Sequence, residues 1–115
     1  MKFGAAAFLL AWLAHPTGAI AGTGIGASSC LKFALDYTRN PPSEEQYFVW
    51  AQGYLSAIVL MAPGGIDDDL DIPQAPDAKA SQMASIRSVC AQDPQRSYGH
   101  AVRTLYRRLG GRALD

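Results

Sequence analysis

The stretch from Tyr47 to Ala62 constrains the fold more than any other part of the chain, because its sixteen residues include no charged side chain. Apolar side chains recur along it at helical spacing, and Pro63, Gly64 and Gly65 provide a stop. A helix that is apolar on all sides must be buried on most of them or used for self-association. Because a membrane span needs about 20 residues, the stretch predicts the central helix of a small bundle or a contact between copies.

Three further helices are predicted around this one. Ser43 to Gln46 has the form of a capping box, which predicts that the apolar helix begins at Glu44. A short amphipathic helix is expected from Ser29 to before Asn40, and another from Asp77, as its cap, to Cys90. The last helix is expected to start at Asp93 and Pro94 and to end before Gly110. No stretch alternates long enough to be a strand, so we expect an all-α bundle of about four helices.

The N-terminus has the anatomy of a secretory signal peptide, with Lys2 before an apolar run and small residues at Ala19 and Ala21. We expect cleavage after residue 21, a flexible glycine-rich leader over residues 22–28 and one helical domain over residues 29–115. The expected location is therefore periplasmic or secreted, with no membrane span once the signal is removed.

The export prediction determines how the two cysteines are interpreted. Cys30 and Cys90 are the only cysteines, and an even count in an exported chain predicts one disulfide. Closing a loop of this length would stabilise the fold by roughly 4 kcal/mol in the chain-entropy model. The disulfide would join the first helix to the end of the third. A zinc site is excluded because too few ligands accompany the cysteines, and no cofactor is expected.

The connector after the apolar helix is acidic, with carboxylates at Asp67, Asp68, Asp69 and Asp71. Alternate acids match the first half of a calcium loop, but Ile72 occupies the position of its glycine, so a solvated acidic loop is preferred. Repulsion among the four carboxylates should raise the pKa of some of them.

Three arginines fall on one side of the last predicted helix, at Arg96, Arg103 and Arg107. They predict a solvated face or a docking surface for an acidic partner, including the acidic connector of a second copy. The chain has ten basic and ten acidic side chains, so no charge excess points to nucleic acid. His100 has no nucleophile or acidic partner in a catalytic motif, so we expect a protein-binding role rather than an enzyme.

Several segments resemble the HdeA family of acid-stress periplasmic chaperones: Ser29 to Phe33, Gly53 with Tyr54, and Ile86 to Asp93. That family consists of small exported all-α proteins with one disulfide, so the resemblance implies a protective protein that binds unfolded clients. The acidic connector would then sense pH. The client or dimer surface would be the stripe of the long helix formed by Tyr47, Trp50, Tyr54, Ile58 and Met61.

Two segments, Trp50 to Ala57 and Cys90 to Pro94, are also similar to exported immunity proteins that inhibit type VI secretion amidases. That resemblance implies a preformed surface, made by Asp68, Asp69 and Leu70 or by the arginines, that enters the cleft of one enzyme. An uncharacterised subunit of an envelope complex fits the same sequence features. We rank the chaperone first and the immunity protein second.

Overall fold

Four α-helices form the body of the protein in a computed structural model that describes residues 24–115. They are α1 (Cys30–Arg39), α2 (Ser43–Met61), α3 (Pro76–Gln92) and α4 (Tyr98–Arg108), preceded by a 3-10 helix at Gly24–Ala27. Within the described residues, extended backbone pairs only at an isolated bridge between Ser29 and Ser97. The predicted all-α class is confirmed. The predicted signal peptide, residues 1–21, lies outside the described residues.

The predicted disulfide is confirmed. Cys30 opens α1 and Cys90 lies near the end of α3, with their Cα atoms 4.9 Å apart and an S–S bond of 2.09 Å. Both cysteines are buried in the core. The bond therefore joins helices that are 60 residues apart in sequence, as expected.

The predicted capping box at the start of α2 is wrong. The helix begins at Ser43 itself, Pro42 is the cap residue, and no side chain caps the helix. The Ser43 hydroxyl is buried and has no hydrogen-bond partner among the described residues. The acids beside it instead pair with α3, Glu44 with Arg87 and Glu45 with Lys79. Contacts between helices thus replace the local cap that the sequence suggested.

The starts of α3 and α4 also differ from the predicted ones. Ala75 is the cap residue of α3 and Pro76 its first residue, so Asp77 lies inside the first turn. Proline suits that place because the first amides of a helix have no partner within it. The last helix starts four residues later than Pro94, where Ser97 accepts a hydrogen bond from the His100 amide at 3.1 Å.

The core centres on aromatic rings from three helices. The Phe33 ring lies 4.9 Å from the Tyr47 ring and 4.8 Å from the Tyr98 ring, measured between centroids. Aliphatic side chains of α3 and α4 extend the core below these rings, namely Ile86, Val89, Val102 and Leu105. Burial of such side chains is the main favourable term in the folding of a small domain.

The segment before α1 packs on the domain instead of continuing as the expected flexible leader. Ile25 packs against the core, and Gly26 lies so close to Trp50 that a Cβ at Gly26 would stand 2.2 Å from the indole ring. Glycine is therefore required at this close approach. Residues 24–27 of the expected leader form the 3-10 helix.

Candidate protein-binding surface

Helix α2 divides into a buried face and an outer face. Four side chains of α2 are buried, Tyr47, Phe48, Ala51 and Leu55. Four more are partly buried against the same core, Trp50, Tyr54, Ile58 and Val59. Of the predicted surface stripe, Tyr47 belongs to the core, the next three members line its edge, and Met61 is exposed.

The outer face of α2 is apolar and uncovered within the described chain. Val49 is 61% exposed, Leu60 81% and Met61 82%, and a Cβ added at Gly53 would meet nothing within 4 Å. Burial on most sides was one of the two outcomes expected for an uncharged helix. The structure instead leaves the outer face open, which is the arrangement required for a contact surface.

Two shallow grooves run beside the C-terminal half of α2. One, of about 320 Å³, lies between the helix and the end of the chain and is lined by Tyr54, Ile58, Met61, Ala113 and Leu114. The other, of about 340 Å³, lies between the helix and the connector and is lined by Val59, Leu60, Leu70 and Ile72. The outer walls of both grooves are therefore segments outside the helices.

The polar contacts from α2 to α1 and α3 all pass through carboxylates. The Tyr47 hydroxyl donates to Asp36 on α1 at 2.6 Å. On the α3 side, Lys79 and Arg87 donate to Glu45 and Glu44. Each of these three contacts therefore includes a negatively charged side chain.

The pKa of Asp36 is lowered, first by its hydrogen bond from Lys32 and then by that from Tyr47. A carboxyl with a lowered pKa stabilises the fold above its ordinary pKa, 3.8, and that contribution disappears as the pH falls further. The attachment of α2 to α1 is therefore sensitive to acid.

Asp67 holds the acidic connector against the last turn of the fold. It is 7% exposed, and its φ of 62° places it in the left-handed region, which non-glycine residues seldom adopt. Its carboxylate accepts hydrogen bonds from the Tyr106 hydroxyl, from the Arg112 amide at 2.8 Å and from the Ala113 amide at 2.8 Å. We call Asp67 and these three donors the Asp67 cluster.

The pKa values in the Asp67 cluster follow from its hydrogen bonds. Burial alone raises the pKa of Asp67, but the bonds from Tyr106, Arg112 and Ala113, with the Arg112 charge, lower it overall. Burial and the bond to Asp67 raise the pKa of Tyr106 to about 12. The pKa of Asp67 thus moves in the direction opposite to that expected from repulsion among the connector acids, because its hydrogen-bond donors and the Arg112 charge outweigh the effect of burial.

The other connector acids do not join this cluster. Asp68 accepts a hydrogen bond from the Gly65 amide at 3.1 Å, while Asp69 and Asp71 are exposed. The described residues contain no group of three or more His, Cys, Asp or Glu side chains that could hold a metal ion. The acidic connector is therefore one buried hydrogen-bond acceptor beside exposed carboxylates.

The predicted arginine row surrounds His100. Arg96 lies 3.8 Å from Asp93 and 3.1 Å from the His100 ring, and Arg107 pairs with Asp115 at 3.4 Å. Burial lowers the pKa of His100 first, and the charges of Arg96, Arg103 and Arg107 lower it further. The three arginines thus form one basic face, but Arg107 also binds the end of the chain.

Sequence reasoning missed Tyr106 and the amides of Arg112 and Ala113. Tyr106 lies four residues after the buried Val102 on α4, so helical spacing could have predicted its burial. Its hydrogen-bond partner, Asp67, could not have been predicted. The two residues are 39 positions apart in sequence, and the contact requires a left-handed backbone at Asp67.

No protein-family model, curated protein or solved structure matches the chain. Over residues 24–115, none of the helices has the length and apolar character that crossing a membrane requires.

Proposed function

We propose that the protein is an exported, non-enzymatic binding protein that protects unfolded clients in acid, as members of the HdeA family do. The observation that carries the proposal is α2, which has no charged residue from Gln46 to its end and whose polar contacts to α1 and α3 all involve carboxylates. The lowered pKa of Asp36 means that acid weakens its contact with Tyr47, which attaches α2 to α1. The helix can then expose more apolar surface under the condition that unfolds other proteins.

The absence of charge on α2 beyond its first turn suits binding in acid. At low pH the acidic side chains become neutral, so both this protein and an unfolded client carry excess positive charge. From Gln46 to Ile66 the chain has no charged residue, so a client can approach there without strong local repulsion. The exposed side chains of Leu60 and Met61 would provide the first contacts.

The disulfide supports the same function. Cys30 and Cys90 join α1 to α3 by a bond that does not titrate between neutral pH and pH 2. Two helices therefore stay connected while the carboxylate contacts weaken. Such a bond also agrees with an oxidising compartment outside the cytoplasm.

A client-protection assay tests the proposed function. The protein, recovered after export with its disulfide formed, is mixed with alcohol dehydrogenase at pH 2.5 and at pH 7, and aggregation is followed by light scattering. We expect suppression at pH 2.5 and little at pH 7. Aggregation that is equal with and without the protein at both pH values would rule the proposal out.

A matched pair of variants locates the binding surface. Leu60→Gln with Met61→Gln should lose most of the protection, because both residues lie on the exposed face of α2. The control is Leu31→Gln with Leu35→Gln, which removes two exposed apolar side chains from α1. Equal losses in the two variants would show that α2 is not the specific binding surface.

A second candidate is an immunity protein that inhibits a secreted cell-wall amidase. The observation that favours it is the attachment of Asp67, which holds the neighbouring Asp68, Asp69 and Leu70 on a fixed loop. Fixed loops lose little entropy when they enter an enzyme cleft. Stoichiometric inhibition of a peptidoglycan amidase, lost in Asp68→Ala with Asp69→Ala and retained in Asp71→Ala, would support this function.

A further inference from the structure

The last residues of the chain cover part of the apolar surface of α2. Ala113 and Leu114 are partly buried against the core and form one wall of the groove whose other wall is Tyr54, Ile58 and Met61. Removing this segment would turn the groove into a continuous open face with Leu60 and the rest of the outer side of α2. The segment therefore controls how much apolar surface is available.

Two side chains hold this segment, residues 112–115, through hydrogen bonds in the described structure. Asp67 accepts from the amides of Arg112 and Ala113. Arg107 donates to the Leu114 carbonyl at 3.3 Å and to the Asp115 carboxylate at 3.4 Å. Both attachments thus include a carboxylate, one buried and one exposed.

We propose that Asp67 is an acid-sensitive latch that holds residues 112–115 over the groove beside α2 at neutral pH and releases them when its carboxylate is protonated. The latch regulates the client surface described above, and in that respect it rests on the proposed function. Its release would uncover the groove wall formed by Tyr54, Ile58 and Met61.

The chemistry of the Asp67 cluster explains why protonation opens the latch. An ionised carboxylate only accepts hydrogen bonds, which suits the three donors from Tyr106, Arg112 and Ala113. A protonated carboxyl carries a donor of its own and accepts more weakly. One of the three donors then loses a good partner inside a buried site, which is unfavourable.

The surrounding charges set the pH at which the latch opens. Burial opposes the ionised form of Asp67, while the Tyr106 hydroxyl and the Arg112 guanidinium favour it. The carboxylates of Asp68 and Asp69 line the same pocket. The pKa of Asp67 is lowered overall, so the latch stays closed at the ordinary value of 3.8 and opens only at lower pH.

An NMR titration of the wild-type protein tests the latch directly. The amide proton shifts of Arg112 and Ala113 should change together, with one midpoint below pH 3.8. The methyl signals of Leu114, which packs against the core, should move to the positions of an exposed residue over the same range. Leu114 methyl signals that stay unchanged to pH 2, after the amide shifts have finished changing, would overturn the latch.

The variant Asp67→Asn should imitate the protonated state at pH 7. We expect a several-fold rise in fluorescence of the neutral dye Nile red and a shift of the Leu114 methyl signals to the positions of an exposed residue. The control is Asp69→Asn, which removes the same charge from an exposed residue of the same loop and should match the wild type. If Asp67→Asn does not fold, the wild-type titration still decides the question.

The outcomes separate the latch from the proposed function. Release of residues 112–115 by acid, without protection of alcohol dehydrogenase at any pH, would keep the latch and remove the chaperone function. Protection at pH 2.5 with residues 112–115 still docked would keep the function and overturn the latch. Opening of Asp67→Asn at pH 7 accompanied by protection at pH 7 would support both.

Discussion

The two ends of α2 lie in regions that are held together in different ways. Near its start, α1, α3 and the beginning of α4 are joined by the Cys30–Cys90 disulfide and by backbone hydrogen bonds from Cys30 to Arg96 and from Tyr98 to Ser28. We call this region the disulfide end. Near the end of α2, the connector and residues 112–115 meet at the Asp67 cluster, which we call the latch end.

The difference shows how a small domain can change on acidification without unfolding completely. The ties named at the disulfide end are covalent or between backbone groups, so they do not titrate in mild acid. At the latch end the central acceptor is a carboxylate, and its stabilising effect is lost as the pH falls below 3.8. The latch end can therefore open while the disulfide still joins α1 to α3, even though acid also weakens the contact between Asp36 and Tyr47.

The largest predicted effect comes from removing the disulfide. Replacing both cysteines, Cys30→Ser with Cys90→Ser, should lower the free energy of unfolding by about 4 kcal/mol, because the unfolded chain regains the freedom that the bond removes. Urea denaturation at pH 7 measures the change. As a control, a reducing agent should destabilise the wild type and leave the double variant unaffected. A change below about 1 kcal/mol would show that the disulfide end does not depend on its bond.

The two ends also differ in how well the sequence predicted them. The disulfide could be predicted from Cys30 and Cys90 alone, because two cysteines allow one pairing. The Asp67 cluster could not be predicted in this way. A run of aspartates indicates an exposed loop, and the burial of Asp67 depends on its left-handed backbone and on its contact with Tyr106. For α2, the sequence predicted either burial on most sides or a contact surface. The absence of charge from Tyr47 to Ala62 does not indicate which side of the helix other residues cover.

A smaller effect is expected from crowding the latch end. A Cβ at Gly111 would lie 2.2 Å from the Tyr106 ring, which is fully buried and has little room to move. Gly111→Ala should therefore destabilise the protein by about 1–3 kcal/mol, as overpacking does. Its control is Gly64→Ala, where nothing lies within 4 Å of the added carbon. Thermal unfolding compares them, and equal melting temperatures would contradict the packing of Tyr106.

The sequence did not predict the starts of α2 and α4 correctly, because contacts in the folded protein and neighbouring signals compete with the local capping pattern. At α2, Ser43 and Gln46 have the right spacing for a capping box, yet tertiary pairing of Glu44 and Glu45 with α3 replaces it. At α4, Ser97 is a true cap that the preceding Pro94 concealed, because proline at the first turn is itself a start signal. Local patterns cannot decide between such alternatives.

The caps at the disulfide end should contribute less than Gly111 does. Ser29 and Ser97 accept hydrogen bonds from the amides of Lys32 and His100, at 3.0 Å and 3.1 Å. Ser29→Ala and Ser97→Ala should each cost about 1 kcal/mol. Since serine does not titrate, the cost should be the same at pH 7 and pH 4. The control Ser88→Ala, on the exposed side of α3, should be neutral or slightly stabilising, and a larger loss there would contradict the assignment of the caps.

The smallest predicted effect concerns His100, near the disulfide end. His100 and Asp67 should titrate at different pH values, so the two ends should respond to acid over different pH ranges. Burial and the arginines around it lower the pKa of His100, so the folded protein resists protonation there. Its contribution to stability should be complete above the ordinary pKa of 6.5 and decline as the pH falls below it, and His100→Gln should lack this decline. An NMR titration of the imidazole checks the direction, and a midpoint above 6.5 would contradict it. If both titrations behave as expected, the disulfide end responds to mild acid only through His100, while the latch stays closed until the pH falls below 3.8.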